Sequence, residues 1–183
     1  MGYDKFLPMN GGCEADETAC KLVRRWAYRV KGIKDNEAVI LFPTGNFWGR
    51  SITASGACDD PSRYTHFGPF TAGFELFKYD NIPDLEAKLK ANPNIAGIFV
   101  EPIQGEGGII IPKKGYLKKL RALCDKYNVL LCADEIQTGL GRTGKMLAFE
   151  HEGVRPDVVA LGKALSGGMM PVSGVLCDDY IMS

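Results

Sequence analysis

Neither sign of charge dominates this 183-residue sequence: 22 Lys and Arg are balanced by 22 Asp and Glu. That balance excludes the broad basic field by which proteins hold nucleic acid or an anionic membrane surface. Long hydrophobic runs are missing too. The longest extend over about six to eight residues, against the roughly 20 that a membrane-crossing helix requires. The opening stretch MGYDKFLPMNGG lacks the basic start and apolar core of a secretory signal. The cysteines, at positions 13, 20, 58, 124, 132 and 177, form no C-x-x-C pair and no metal-ligand spacing. They are therefore expected as reduced thiols of an intracellular protein, several of them in its core, rather than as a disulfide framework. Internal repeats and low-complexity linkers are absent as well.

What the sequence does contain is a core. Hydrophobic residues make up 45% of the chain, and they fall into two periodicities. Ala19, Leu22, Val23, Trp26, Ala27 and Val30 recur at helical spacing before Gly32, which predicts a helix over 15–32. A second helix is predicted over 82–92, between Pro83 and Pro93. A third is predicted over 115–128, with Leu117, Leu120, Leu123, Cys124 and Tyr127 on one face. Around them lie short runs that read as strands, most with a continuous apolar stretch: 38–43, 74–80, 95–102, 129–135, 157–162 and 171–178. Strands of that kind alternating with helices predict an α/β fold with a mainly parallel sheet covered on both faces. The segment 43–73 is rich in Gly, Ser, Thr and Pro yet carries Phe47, Trp48, Phe67 and Phe70, the composition of a functional loop.

In such sheets the working residues sit just beyond the carboxyl ends of the strands. Four segments meet that description: Glu101 with Pro102 and Gln104, Asp134 with Gln137, Lys163, and TGNFWGR at 44–50. An acid, an amide, an amine and an aromatic would thus share one rim. Two other motifs compete for attention. GLGRTG at 139–144 fits G-x-G-x-x-G, but DEIQT separates it from the strand and no acid follows at the right distance. GLGRTGKM imitates a nucleotide-phosphate loop, but Met146 stands where magnesium needs a hydroxyl. Neither supports a nucleotide site. Lys163 is different, because LG precedes it and ALSGG follows, with no carboxylate alongside. A partly desolvated amine of that kind becomes a nucleophile toward a carbonyl. An acid at Asp134 holding a pyridinium nitrogen completes what pyridoxal phosphate (PLP) chemistry requires.

The segment ADEIQTGLGRTGKMLAFEHEGVRPDVVALGKALSGGMMPVSGVL resembles the signature of class III aminotransferases, which are PLP enzymes of fold type I. The flanking blocks LPMNGGCEADETACKLVRRWAY, GNFWGRSITA, FGPFTAGFELFKYDNIPDLE and VEPIQGEGGIIIP resemble the branch of that family acting on ornithine. The resemblance implies a Schiff-base lysine at Lys163 that also moves the substrate proton, and a pyridinium partner at Asp134. It implies Gln137 on the ring oxygen, Phe47 on the ring face, and the backbone of Gly12 and Cys13 on the phosphate. The family commonly has Thr at Gly11, a mild departure for a backbone contact. Arg50 would take a substrate carboxylate, and Glu106 would pair with an arginine or meet the ornithine amine. The implied substrates are L-ornithine and 2-oxoglutarate, with no nucleic acid and no membrane, and the implied assembly is a homodimer or larger. Residues 1–183 would form the central part of the PLP-binding large domain, with an N-terminal segment and a C-terminal small domain lying outside them. These residues alone would then bind PLP poorly and turn over little. Acetylornithine or 4-aminobutyrate enzymes, or an inactive chain retaining only the fold, are the alternatives; a PLP aminomutase is disfavoured by Arg50. Cytosol and mitochondrial matrix both occur among such enzymes.

Overall fold

The structure is a computed structural model describing residues 1–183. One seven-stranded sheet forms its spine. The strands are β1 (Lys5–Met9), β2 (Val39–Pro43), β3 (Phe74–Phe77), β4 (Ile95–Val100), β5 (Leu130–Asp134), β6 (Val158–Leu161) and β7 (Ser173–Cys177). Their spatial order is β1-β7-β6-β5-β4-β2-β3. The pairs β3–β2, β2–β4, β4–β5 and β5–β6 are parallel, while β7 is antiparallel to both β6 and β1. Six strands therefore point one way and β7 alone runs back.

Alternation along the strands divides the core in two. Ile40, Phe42, Leu130, Cys132, Val158 and Ala160 pack toward α1 (Gly12–Trp26), joined by its Ala15, Ala19, Val23 and Trp26. Leu41, Leu131, Ala133, Val159 and Leu161 pack the opposite way. There they meet Leu85 and Leu89 of α4 (Ile82–Ala91) and Leu117, Leu120 and Cys124 of α5 (Tyr116–Tyr127). The interior strands β2, β4, β5 and β6 are almost wholly apolar because both of their faces are covered. Short helices α2 (Ile52–Gly56), α3 (Pro61–Tyr64) and α6 (Asp179–Met182) complete the set. No helix is long and apolar enough to cross a membrane, and all six thiols are free, four of them buried.

The main departures from expectation have local causes. Beyond Trp26 the first helix widens into a π-helical turn, Ala27–Lys31. That shift of register takes Val30 off the buried stripe and leaves it 61% exposed. Strand β1 was not expected at all: it is a short, exposed edge strand with only Met9 part-buried, and Pro8 within its FLPM run speaks against a strand. Its placement still matters. Because β1 is parallel to β6, its carboxyl end and the start of α1 fall on the same rim as the ends of β4, β5 and β6.

Candidate active site

At that rim lies a cavity of about 220 Å3. Lys163 and Asp134 both line it, as do Phe47, Gln137, Glu106, and Gly12 and Cys13 at the start of α1. Of the site residues that the resemblance implies, only Arg50 lies outside it; Gln104, also singled out at the rim, does not line it and instead donates through Nε2 to the Thr44 carbonyl at 2.8 Å. Arg50 lines an adjoining cavity of about 500 Å3 that shares Phe47, Gly49 and Glu106 with the first.

Each side chain is delivered by a strand end or a helix start. Asp134 is the last residue of β5 and continues the series Leu130, Cys132 that faces α1. Its Oδ1 accepts the Ile136 N–H at 3.0 Å. Burial pushes the carboxyl up to about 8, assisted by the nearby charge of Glu101; the Ile136 N–H and Lys163 oppose that rise. The acid makes no ion pair within the chain. A buried carboxyl in that state calls for a cation that the protein itself does not supply.

Lys163 follows β6 through Gly162 and adopts φ +40°, inside the left-handed region that side chains other than glycine avoid. A constraint of this kind belongs with functional positions. In one respect the expectation is corrected: Lys163 is exposed, so burial within this chain does not desolvate the amine. Of the sequence neighbours that suggested a dry pocket, Leu161 is buried in the core, while the Lys163 ammonium makes no ion pair within the chain.

The start of α1 forms the third corner. The N–H groups of the first helical turn have no intrahelical acceptor, and the helix dipole favours an anion there. Gly12 packs so tightly that a Cβ on it would lie 3.0 Å from Ile136 Cδ1. Ser173 Oγ on β7 donates to the Gly11 carbonyl at 2.7 Å, which anchors this turn to the sheet. The Cys13 thiol lies 3.4 Å from Ser51 Oγ and presses on Gly49, tying the 44–51 loop to α1. Gln137 lies against Gly105, where any side chain would collide with its amide.

Two acids on this cavity exceed what the sequence suggested. Glu101, expected at the rim but given no task, accepts the Phe47 N–H at 3.0 Å and the Gly105 N–H at 3.4 Å. It thereby pins both loops that carry cavity residues. Burial holds its carboxyl up at about 6 against those two hydrogen bonds. Asp16 was missed altogether; its signal was an acid at a stripe position of α1, between Ala15 and Ala19. Conversely, Trp48 of the aromatic loop belongs to the core, stacked on Phe42 at 4.8 Å. The 139–146 segment closes on itself through Leu140 N–H to Met146 O, and none of its residues lines the main cavity.

The residues present fit pyridoxal phosphate. An amine and an acid face one cavity, the acid lacks its cation, and a glycine-led helix start offers free N–H donors. A mainly parallel sheet carrying that arrangement at its strand ends is the large-domain architecture of the fold-type I PLP-dependent transferases. Within that class the chain belongs to the class-III aminotransferases, whose family model matches residues 1–183. It is 60% identical over 182 residues to the mitochondrial ornithine aminotransferase of Drosophila melanogaster, covering 100% of this chain and 42% of that protein. It superposes with TM-score 0.97 and 52% identity on an ornithine aminotransferase from Toxoplasma gondii with partial occupancy of PLP at its active site, covering 99% of this chain and 42% of that one. An acetylornithine aminotransferase from Elizabethkingia anophelis gives TM-score 0.84 at 47% identity, covering 99% and 41%. The chain thus spans about two fifths of the length of the relatives it matches.

Proposed function

We propose that the whole protein transfers the δ-amino group of L-ornithine to 2-oxoglutarate, giving glutamate 5-semialdehyde and glutamate, with pyridoxal phosphate as its cofactor. The observation that carries this reading is the shared cavity, whose wall brings together Lys163, Asp134 and the Gly12–Cys13 start of α1. Identity of 60% to an ornithine enzyme supports ornithine as the amino donor. The bound cofactor supplies an aldehyde and a protonated ring that withdraws electrons from the substrate carbon. This chain supplies position and proton control.

In that reading Lys163 Nζ would hold the cofactor through its aldehyde and would serve as the base that moves the substrate proton. Asp134 would hold the ring nitrogen in its protonated form, a cation beside which the buried acid could ionise. Phe47, fixed through its N–H by Glu101, covers one ring face. Gln137 donates to the ring oxygen. The Gly12 and Cys13 N–H groups hold the phosphate.

Arg50, exposed and without an ion-pair partner, binds a substrate carboxylate in the adjoining cavity. Glu106, which lines both cavities, exchanges between an arginine and the ornithine amine. Residues 1–183 constitute the central part of the large domain, and the full protein works as a homodimer or larger assembly in the mitochondrial matrix or cytosol.

The test is a comparison of amino donors with the full-length protein. Ornithine should exceed N-acetylornithine and 4-aminobutyrate in kcat/KM, and Lys163→Ala should remove both turnover and the visible absorbance of bound cofactor. Preference for N-acetylornithine would move the protein to the acetylornithine branch that the Elizabethkingia neighbour represents. Visible absorbance surviving Lys163→Ala would remove the lysine from its role.

A further inference from the structure

Helix α3 plays no part in the chemistry above, and its position is set by local signals in the run DPSR. Asp60 is the N-cap, accepting the Ser62 N–H at 2.9 Å through Oδ1, and Pro61 opens the helix with its φ already fixed. Arg63 follows one turn on, and its Nε meets Asp60 Oδ2 at 3.2 Å. Just upstream, Asp59 accepts the Gly45 N–H at 2.9 Å. That bond fastens the approach to α3 beside the 44–51 loop.

What this placement delivers is the Arg63 side chain. Its guanidinium carbon stands over the Phe47 ring, 4.8 Å from the centroid, and its Nη1 donates to the Asn46 carbonyl at 3.3 Å. Asn46 is itself buried, and its side chain donates to the Pro43 and Ala57 carbonyls, both at 2.8 Å. The guanidinium thus rests on a fixed support. Glu101 meanwhile holds the same residue through the Phe47 N–H. Phe47 lines both cavities, whereas Arg63 lines only the adjoining one. The stack therefore lies on the side away from Lys163 and Asp134.

The two arginines of the adjoining cavity differ in what they have left to offer. Arg50 is exposed and makes no ion pair, so its charge is free for an anion. Arg63 is part-buried and already engaged with an acid, a carbonyl and an aromatic face. A planar cation held in that way orients its neighbour instead of receiving a substrate.

We propose that Arg63 is a positioning residue of the cofactor site: stacked on Phe47 from the adjoining cavity, it holds that ring in the orientation that covers the cofactor. The inference rests on the reading of Phe47 as the residue over the cofactor ring. The effect is pre-organisation. A Phe side chain without a brace samples several staggered rotamers, and binding would then have to select one of them at the expense of affinity.

The experiment uses the full-length protein and a double-mutant cycle on cofactor affinity. When the cofactor-free protein is titrated with pyridoxal phosphate, Arg63→Ala should bind about two- to tenfold more weakly than wild type, the scale of one cation–π contact. In a Phe47→Leu background the same substitution should change affinity by less than about twofold, because the coupling partner is gone. The KM for 2-oxoglutarate at saturating cofactor should stay close to wild type in Arg63→Ala. An equal loss of affinity in both backgrounds overturns the proposal. So does intact cofactor affinity with a raised KM for 2-oxoglutarate, which would make Arg63 a carboxylate receptor. Should Arg63→Ala fail to fold, Arg63→Gln, which keeps a planar polar end without the charge, carries the same cycle. In cofactor-free protein labelled with 4-fluorophenylalanine, the Phe47 19F resonance (assigned through Phe47→Leu) should shift in Arg63→Ala, and an unmoved resonance also overturns the proposal. If no Lys163-dependent visible absorbance develops, the cofactor reading has failed, while the 19F measurement still decides whether Arg63 sets the Phe47 ring.

Discussion

Lys163 carries its conformational cost openly. It is the only residue of the main cavity among the six non-glycine residues with positive φ. A left-handed backbone costs an L-residue roughly 1–2 kcal/mol relative to glycine. Lys163→Gly is therefore expected to be more stable than Lys163→Ala by about 1 kcal/mol, measured by urea unfolding of the cofactor-free protein. Equal stabilities would show that the backbone there is unstrained.

The acids beside it make a second prediction. Asp134 and Glu101 are held at about 8 and about 6, above the ordinary carboxylate range near 4. The folded state thus binds protons that the unfolded chain releases. Their contribution to stability is complete below about pH 4 and is lost as pH rises through 6 and then 8. The cofactor-free protein should melt at a lower temperature at pH 8.5 than at pH 5.5, and Asp134→Asn should flatten much of that slope. A wild-type melting temperature that rises over this interval would contradict the burial-driven shifts. The placement of Lys163 and Asp134 on one rim was legible because each stands directly after an apolar run. Asp16 was not recognised, because a single acid in an amphipathic helix ordinarily faces water.

At the scale of elements, helix α1 sits on the sheet through Gly97 of β4. A Cβ there would come 2.7 Å from Val23 Cγ1, and Val23 is fully buried. Gly97→Ala should cost about 1–3 kcal/mol, as overpacking does, read as a lower urea midpoint with an unchanged m-value. A neutral result would mean that α1 slides freely on the sheet. The interior strands and long helices could be read from the sequence because burial on both sheet faces, or on one helix stripe, writes itself into residue order. The edge strand β1, the short α2, α3 and α6, and the π-turn after Trp26 could not. Each depends on tertiary partners rather than on a period: β1 on its pairing with β7, and α2 on the Ser51 hydroxyl that caps it.

For the molecule as a whole, the apolar surface is telling. Ile109 and Ile111 are 85% and 70% exposed, and Met169 is 89% exposed. Isolated exposed apolar residues need no explanation, but clustered ones favour association. A polypeptide of these 183 residues should self-associate at micromolar concentration, and Ile109→Glu with Ile111→Glu should shift it toward monomer on size-exclusion chromatography. An unchanged elution volume would remove this loop from the contact.

The reversal of β7 governs when the site can exist. Ser173 reaches back to Gly11 across 162 residues, and β1 finds its only neighbour in the last strand of the chain. Closing so wide a span is a late, entropically opposed event in folding. During synthesis the ribosome must release nearly all of these residues before the phosphate corner can be braced. A nascent chain halted before β7 would display its lysine and its acid with the helix start beside them unbraced.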